Sequence, residues 1–308
     1  PGELPRVAVI ANPTKVDDGE GRRAWLKRAS AEAGFGPPLW LETTVDDPGT
    51  GQAREAGRSG AAAVFVYGGD GTVRAVATGL SGTDVPIALI PAGTGNLLAR
   101  NLNIPVIFPD AAATIGFTGR VRHIDVGRAE VDVSGADVAP RRETFLVMAG
   151  LGFDAEVMAS VEPKLKRTFG WWAYVVAGAR LVRGRQTKVA LYLDGRPPMH
   201  RRIRSVVVGN CGELTGGIRL LPDAQVDDGW LDVVAVSPRN VVGWAAVTAS
   251  VLSGSRRGHP LVERYRCRRV EIRAEKPLHM QLDGDPAGRA RVLRVDIDRL
   301  ALSVKVRD

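Results

Sequence analysis

The chain has 308 residues, of which 44% are hydrophobic and 25% charged, with a mean hydropathy of -0.04. This length suits about two domains of the usual ~100–200 residues, and the composition excludes a fibrous, disordered or disulfide-stapled protein. The longest nearly apolar stretch, residues 169–182, contains Arg180 and is shorter than the ~20 residues of a membrane span, so no transmembrane helix is predicted. Cys211 and Cys267 form no disulfide framework and no CxxC motif, which favours a reducing cytoplasm.

The net charge of +8 is concentrated in the second half of the chain. Residues 1–119 contain 10 Lys/Arg and 12 Asp/Glu, whereas residues 120–308 contain 32 and 22. Such asymmetry indicates contact with a polyanion, either nucleic acid or an anionic membrane surface. A coding preference for Arg over Lys is the alternative explanation. Because no recognised nucleic-acid-binding motif accompanies the arginines, nucleic acid is not an expected partner.

The first third alternates predicted strands and helices. Strands are predicted over residues 6–12, 39–44, 61–67 and 86–90, and helices after residue 21, over 52–60, from Thr72 and from Asn96. Residues 61–67 form a continuous apolar run, which is typical of a strand buried on both faces of a parallel sheet. We therefore predict an α/β domain with a mostly parallel sheet.

After about residue 121 the pattern changes to strands with alternating apolar residues. Strands are predicted near residues 189–193, 203–208, 231–236, 270–274 and 304–306, separated by Asp-Gly and Gly-Gly turns. Helices are predicted over 165–182 and over 237–252, the latter with Ser237 as N-cap and Pro238 at its first position. This is the pattern of an antiparallel, β-rich second domain that begins near residues 121–126.

Two glycine-rich loops each follow a predicted strand and precede a helix. Gly68-Gly-Asp-Gly-Thr72 and Pro91-Ala-Gly-Thr-Gly-Asn96 can bring backbone N–H groups close to phosphates, and Asp70 can hold a hydrated Mg²⁺ beside them. The simpler alternatives are turns that merely require glycine, and Asn96 as a helix cap. Neither loop has the Walker A or GxGxxG spacing.

Seven ordered elements resemble the family of soluble diacylglycerol kinases and sphingosine kinases, over nearly the whole chain. They are Asn12-Pro13, 68–72, 91–100, 123–127, 150–154, 227–229 and 282–285. The resemblance implies a three-layer α/β nucleotide-binding domain, similar to that of NAD kinases and phosphofructokinases, and a C-terminal antiparallel β-sandwich. We expect the first domain to comprise residues 1–121 and about 298–308, and the β-rich lipid-substrate domain residues 122–297.

The resemblance also assigns candidate site residues. Those implied to bind ATP are Asn12, Pro13, Thr44, Gly68, Gly69, Asp70, Gly71, Thr72, Gly93, Thr94 and Asn96. The implied magnesium site consists of Asp228 with backbone oxygens of Gln225 and Trp230. Asp70 and Asp125 belong to the network that reaches toward the phosphates, and Asp70 is also an implied catalytic residue. The implied catalytic base is Asp283 or Asp285, because this chain has Asp-Gly-Asp where the family has Asp-Gly-Glu. Leu97 is a second departure, since many members have Asp there.

The resemblance implies an ATP- and Mg²⁺-dependent lipid kinase whose leading acceptor is diacylglycerol. Another lipid acceptor (phosphatidylglycerol or a sphingoid base), an NAD-kinase-like activity and a catalytically silent nucleotide- or lipid-binding protein are the alternatives. The expected partners are the lipid alcohol, an anionic membrane surface at the inner face of the membrane and, for a homodimer, a second copy of the chain. A basic, aromatic segment over 164–174 is compatible with interfacial binding or with a core helix.

Overall fold

The computed structural model describes residues 4–16, 18–133, 139–152, 186–253 and 259–308. The chain divides into two compact units, Pro1–Ile124 with Leu300–Asp308, and Asp125–Arg299. The helix predicted over 165–182 and the basic, aromatic segment within it lie outside the described residues. Among the described helices, none has both the length and the apolar character needed to cross a membrane.

The first unit contains a parallel sheet in the order β2-β1-β3-β4. Its elements are β1 (Ala8–Ala11), α1 (Gly19–Glu32), β2 (Leu39–Glu42), α2 (Thr50–Arg58), β3 (Val64–Gly68), α3 (Asp70–Leu80), β4 (Ile87–Pro91), α4 (Leu97–Asn101) and α5 (Pro109–Thr118). The predicted alternation of strands and helices is confirmed. Helix α5 is an addition to the prediction, and it packs against β4.

Burial explains why these segments adopt their structures. Every residue of β1, β3 and β4 is buried, as expected for the central strands of a parallel sheet covered on both faces. Helix α3 buries Val73, Val76, Ala77 and Leu80, which recur at helical spacing on one face. The apolar face of α3 thus fixes Gly69, which joins β3 to α3, at the end of the strand.

The second unit is built from antiparallel pairs, which confirms the predicted change of pattern. Its strands are β5 (Arg120–Asp132), β6 (Arg141–Phe145), β7 (Met148–Leu151), β8 (Thr187–Leu193), β9 (Met199–Ile203), β10 (Ser205–Gly209), β11 (Leu231–Val236), β12 (Val262–Cys267), β13 (Arg269–Leu282) and β14 (Asp285–Val306). The described pairings follow the order β12-β11-β10-β7-β13-β14, with β8 on β13, β9 on β8, and β6 on β5. The first residues of β5 and the last of β14 belong to the first unit, where Val304 pairs with Ile87 of β4 in parallel.

The helix predicted from Ser237 begins later. It is α6 (Val241–Leu252), and its N-cap is Asn240, whose side chain accepts a hydrogen bond from the Gly243 amide at 2.9 Å. Ser237 continues the extended chain after β11 because its amide donates to the carbonyl of Leu261 at 3.0 Å. An N-cap carbonyl accepts the first hydrogen bond of its helix, whereas the Ser237 carbonyl accepts from the Gln186 side chain at 2.7 Å.

Candidate functional site

The carboxyl ends of the parallel strands bring the predicted nucleotide residues of the first unit to one edge. Ala11 at the end of β1 is in register with Tyr67 on one side and with Glu42 on the other, and Gly68 is in register with Pro91. The Asn12 amide continues this pattern and donates to the carbonyl of Tyr67 at 2.9 Å. This edge is where open α/β sheets bind ligands.

Asn12, Pro13 and Thr44 lie in tight turns along this edge. The Asn12 Oδ1 atom accepts from the Thr14 amide at 3.0 Å, which closes a turn around Pro13. Thr44, two residues after β2, is exposed, and its hydroxyl oxygen accepts from the Asp47 amide at 3.0 Å. In the structure, the Asn12 and Thr44 side chains therefore accept hydrogen bonds from nearby backbone amides.

The two glycine loops contact each other through their backbones. A Cβ atom added to Gly93 would lie 2.7 Å from Cα of Gly69, and one added to Gly69 would lie 3.2 Å from Cα of Gly93. A Cβ on Gly68 would lie 2.7 Å from Cβ of Thr72, which is itself buried. Glycine is thus required here for close packing of one loop on the other, in addition to any approach by a ligand.

Asp70 joins the two loops. Its carboxylate accepts hydrogen bonds from the amide of Asn96 at 2.7 Å and from the amide of Leu97 at 2.6 Å. Asn96, with a left-handed φ of 48°, folds its own side chain back, where Oδ1 accepts from the Gly93 amide at 3.0 Å. Thr94 is exposed at the tip of this loop. Sequence reasoning missed this structural contact of Asp70, whereas its predicted part in a metal network stays a prediction.

In the second unit, the Asp283-Gly284 pair forms the hairpin turn between β13 and β14. Both residues have positive φ, 49° and 89°, and Leu282 pairs directly with Asp285, the arrangement of a two-residue hairpin turn. Asp283 is 4% exposed. Its Oδ1 atom accepts from the amides of residues 146, 147 and 148 at 3.2, 2.8 and 3.1 Å. The Asp283 carboxylate is therefore occupied by three consecutive backbone donors.

Asp285, by contrast, is exposed at the start of β14. Beneath the turn, the Gln281 side chain accepts from the Gly284 amide at 2.7 Å, and its buried Nε2 atom lacks a hydrogen-bond partner. The Asp-Gly-Asp element thus combines one carboxylate enclosed by backbone amides and one that faces solvent. Its two carboxylates have different surroundings although they are two positions apart.

Two of the residues predicted to form the magnesium site, Asp125 and Asp228, both accept hydrogen bonds from the 229–230 backbone in the second unit. Asp125 is fully buried on β5, and its Oδ2 atom accepts from the amide of Gly229 at 2.6 Å. Asp228 Oδ1 accepts from the amide of Trp230 at 2.9 Å, while its Oδ2 atom is paired with the guanidinium of Arg266. Gly229, which lies between Asp228 and Trp230 in the chain, has a φ of 74°, a conformation that favours glycine.

Carboxylate and backbone oxygens are ligands that Mg²⁺ accepts, so the predicted residue types suit the ion. Burial raises the pKa of the Asp228 carboxyl, the Trp230 amide and Arg266 oppose that rise, and the charge of Asp125 adds to it. A cation beside Asp228 would relieve the same repulsion. Among the residues described here, no group of three or more His, Cys, Asp or Glu side chains is arranged to hold a metal. The predicted site has one carboxylate ligand and otherwise backbone oxygens.

Comparison with protein families assigns both units. Residues 6–129 match the diacylglycerol kinase catalytic domain, and residues 147–305 match the YegS C-terminal NAD kinase beta sandwich-like domain. The chain belongs to the lipid kinase family that these two domains define.

Individual lipid kinases are similar to this chain over most of their length. The chain is 32% identical to a probable lipid kinase YegS-like protein of Pseudomonas aeruginosa, covering 97% of this chain and 93% of that protein. It is 28% identical to the diacylglycerol kinase of Bacillus subtilis, covering 92% and 91%.

Solved structures show the same fold. A diacylglycerol kinase from Bacillus anthracis str. Sterne superposes with a TM-score of 0.77 at 22% identity, covering 100% of this chain and 98% of the other. Yeast NADH kinase complexed with NADH gives a TM-score of 0.51 at 11% identity, covering 100% and 84%. Together with the domain matches, these likenesses confirm the predicted fold class, an α/β nucleotide-binding domain and a β-sandwich domain.

Proposed function

We propose that this lipid kinase transfers the γ-phosphoryl group of ATP to the hydroxyl of diacylglycerol and releases ADP and phosphatidic acid. Full-length similarity to lipid kinases, one of which is named a diacylglycerol kinase, is the observation that favours this acceptor. Phosphoryl transfer requires mainly positioning and charge neutralisation. Glycine loops and a few carboxylates can supply both.

The loops 68–72 and 93–96 are proposed to bind the phosphates of ATP. The backbone amides at the start of α3 point out of a helix N-terminus, which attracts anions. Asp70 holds the second loop against the first through Asn96 and Leu97. Asn12 and Thr44 are proposed to contact the nucleotide from the neighbouring strand ends.

Asp285 is proposed as the general base. As the lipid hydroxyl oxygen bonds to the γ-phosphorus, the bond from that phosphorus to the bridging oxygen of ADP breaks, and the hydroxyl proton passes to the Asp285 carboxylate. Asp283 is a weaker candidate because its carboxylate already accepts from three backbone amides in a buried position. We therefore assign Asp283 to holding the turn that presents Asp285.

Magnesium is proposed at Asp228, with backbone oxygens of Gln225 and Trp230, and with Asp125 behind it. An ion at this site would supply positive charge to a half-buried acidic segment. In this chain, the guanidinium of Arg266 already pairs with the Asp228 carboxylate, so the arginine supplies part of the positive charge. Asp125 orders the same segment by fixing the amide of Gly229.

The proposed location is the cytoplasmic face of the membrane, where ATP and a lipid acceptor are both present. Two buried free cysteines, Cys211 and Cys267, are compatible with a reducing compartment. The basic second half favours an anionic bilayer as the surface on which the substrate is reached. A homodimer is the proposed assembly, and light scattering of the purified protein tests it directly.

The test is transfer of labelled phosphate from ATP, with Mg²⁺, to vesicles that contain diacylglycerol, phosphatidylglycerol, ceramide or a sphingoid base, with NAD as a soluble acceptor. We expect diacylglycerol to be phosphorylated, Asp285→Asn to abolish transfer, and Asp298→Asn on the exposed surface to leave it intact. Transfer to one of the other lipids and not to diacylglycerol would show that the proposed acceptor is wrong and would identify the actual one. Transfer to NAD, or ATP binding without any transfer, would overturn the proposed reaction.

A further inference from the structure

A concave, basic surface lies on the outer face of the second unit, where β13, β8 and β9 run side by side. The register places Ala190 of β8 opposite His200 of β9 and opposite Arg273 of β13. Lys188 is opposite Arg202 in the same way. Because side chains two residues apart on a strand share a face, these five side chains belong to one face of the sheet.

The alternating neighbours of these residues show that this face points away from the core. Val189, Leu191, Ile203 and Ala274 are all buried in the hydrophobic cluster of the second unit. Lys188, Arg202 and Arg273 are exposed. Ala190 and the longer basic side chains of this face line a cavity of about 430 Å³, whose lining also includes Val189, Arg201, Ala274 and Glu275.

The charge balance of the cavity favours an anionic ligand. Among the described residues, Lys188 and Arg202 have no ion-pair partner, so their charges are available. Arg273 stacks over the Tyr192 ring, 5.1 Å from its centre, and its guanidinium is paired with Glu271. The carboxylate in the cavity wall, Glu275, accepts from the backbone amide of Lys188 at 3.3 Å.

We propose that this cavity, which we call the β8–β9 basic cavity and which comprises Lys188, Ala190, His200, Arg202 and Arg273, binds the phosphate groups of an anionic phospholipid bilayer. Charge complementarity is the argument for this occupant, since guanidinium and ammonium groups donate to phosphate oxygens. The inference rests on the proposed function, because a lipid kinase reaches its acceptor at a bilayer. The inference adds which surface of the protein contacts the bilayer.

The position of β9 makes such contact possible. Among the described strands, β9 pairs with β8 alone, and none of them pairs with its other edge. Charged side chains on an open strand also discourage edge-to-edge aggregation, which is the simpler role for Arg202. The two roles differ in what they predict, because a protective edge does not require a cavity or selectivity for anionic lipid.

The experiment measures co-sedimentation of the full chain with vesicles of phosphatidylcholine alone and of phosphatidylcholine mixed with phosphatidylglycerol. Lys188→Gln combined with Arg202→Gln should weaken binding to the anionic vesicles about 30-fold, because each Lys or Arg near an anionic surface contributes roughly 1 kcal/mol. Lys27→Gln with Arg28→Gln, on the exposed side of α1, removes the same two charges and should leave binding within about threefold. The swap Lys188→Arg with Arg202→Lys keeps the charge and should keep binding.

Equal losses in both glutamine variants, or no loss in either, would overturn the proposal. Binding of soluble glycerol phosphate that is lost in the Lys188/Arg202 variant, without any change in vesicle binding, would also overturn it and indicate a small phosphorylated ligand instead. Kinase activity toward diacylglycerol in neutral detergent micelles should be unchanged in this variant. An inactive wild-type protein in micelles would contradict the proposed kinase function. The vesicle-binding result would still test the cavity proposal, because it does not depend on activity.

Discussion

The backbone amide of Leu97 donates to the carboxylate of Asp70 at 2.6 Å, across 27 residues of sequence. Asp70 begins the helix that follows one glycine loop, and Leu97 begins the helix that follows the other. The Leu97 side chain is itself buried, and its amide is held by the acid of the first loop. The two phosphate-binding candidates behave as one structural element.

Asp70→Asn should therefore weaken both folding and nucleotide binding. The substitution keeps one acceptor oxygen but faces the second amide with an NH₂ group, at a cost of about 2 kcal/mol in the free energy of unfolding. Chemical denaturation and calorimetric titration with ATP measure the two effects. Asp84→Asn, on an exposed loop of the same unit, is the control. Unchanged stability and ATP affinity in Asp70→Asn would show that the hydrogen bonds from Asp70 to the second loop do not hold the two loops together.

Gly93→Ala should disturb the same pair of loops by steric overlap. Its Cβ would lie 2.7 Å from Cα of Gly69, and backbone cannot move aside as a flexible side chain can. We expect a loss of about 2 kcal/mol in stability and a higher KM for ATP. Gly19→Ala, where nothing lies within 4 Å of the added atom, is the matched substitution and should be neutral. Equal melting temperatures for the two variants would show that the loops have room to separate.

Asp283 and Asp285 should separate stability from catalysis. Asp283→Asn weakens hydrogen bonds to three buried amides and should lower the free energy of unfolding by about 3 kcal/mol, measured in urea. Asp285→Asn, exposed two residues later, should change it by less than about 0.5 kcal/mol while kcat falls to background. The reverse pattern, a stable but inactive Asp283→Asn protein, would make Asp283 the base.

Magnesium should stabilise the second unit through Asp228. At a concentration about a hundred times its Kd, Mg²⁺ should raise the free energy of unfolding by about 2.7 kcal/mol, seen as a higher Tm. Asp228→Asn should remove this increase, while Asp298→Asn, which breaks only an exposed ion pair with Arg128, should retain it. A magnesium-dependent shift that survives in Asp228→Asn would place the ion elsewhere.

Cys267 should be inert in the folded protein. Burial raises the pKa of its thiol to about 12, and the charges of Asp194 and Asp232 add to the rise. A thiol reagent at pH 8 should modify Cys267 only after unfolding. Because the folded pKa lies above the ordinary value of 9.0, this group's contribution to stability is complete below that pH and is lost as pH rises toward 12. Cys267→Ala should show a flatter alkaline decline, and rapid labelling of the native thiol would refute its burial.

The buried strands and the glycine loops could be predicted from sequence because their signals are local. An apolar run such as 61–67 and the helical spacing from Val73 to Leu80 need no distant partner. The contacts of Asp283 could not be predicted, since its amide donors lie more than 130 residues earlier in the chain. The pairing of Asp228 with Arg266 is likewise set by strand β12.

The long strand β14 also fixes the order in which the protein can mature. Residues 300–308 join the first unit, where Val304 pairs with β4 and the carbonyl of Ala301 accepts from the Gly82 amide at 2.8 Å. During synthesis, therefore, β4 has an open edge until residues 300–308 leave the ribosome. A fragment that ends near residue 124 would keep that edge exposed and should aggregate. The first unit is therefore completed only after the whole of the second unit has been translated.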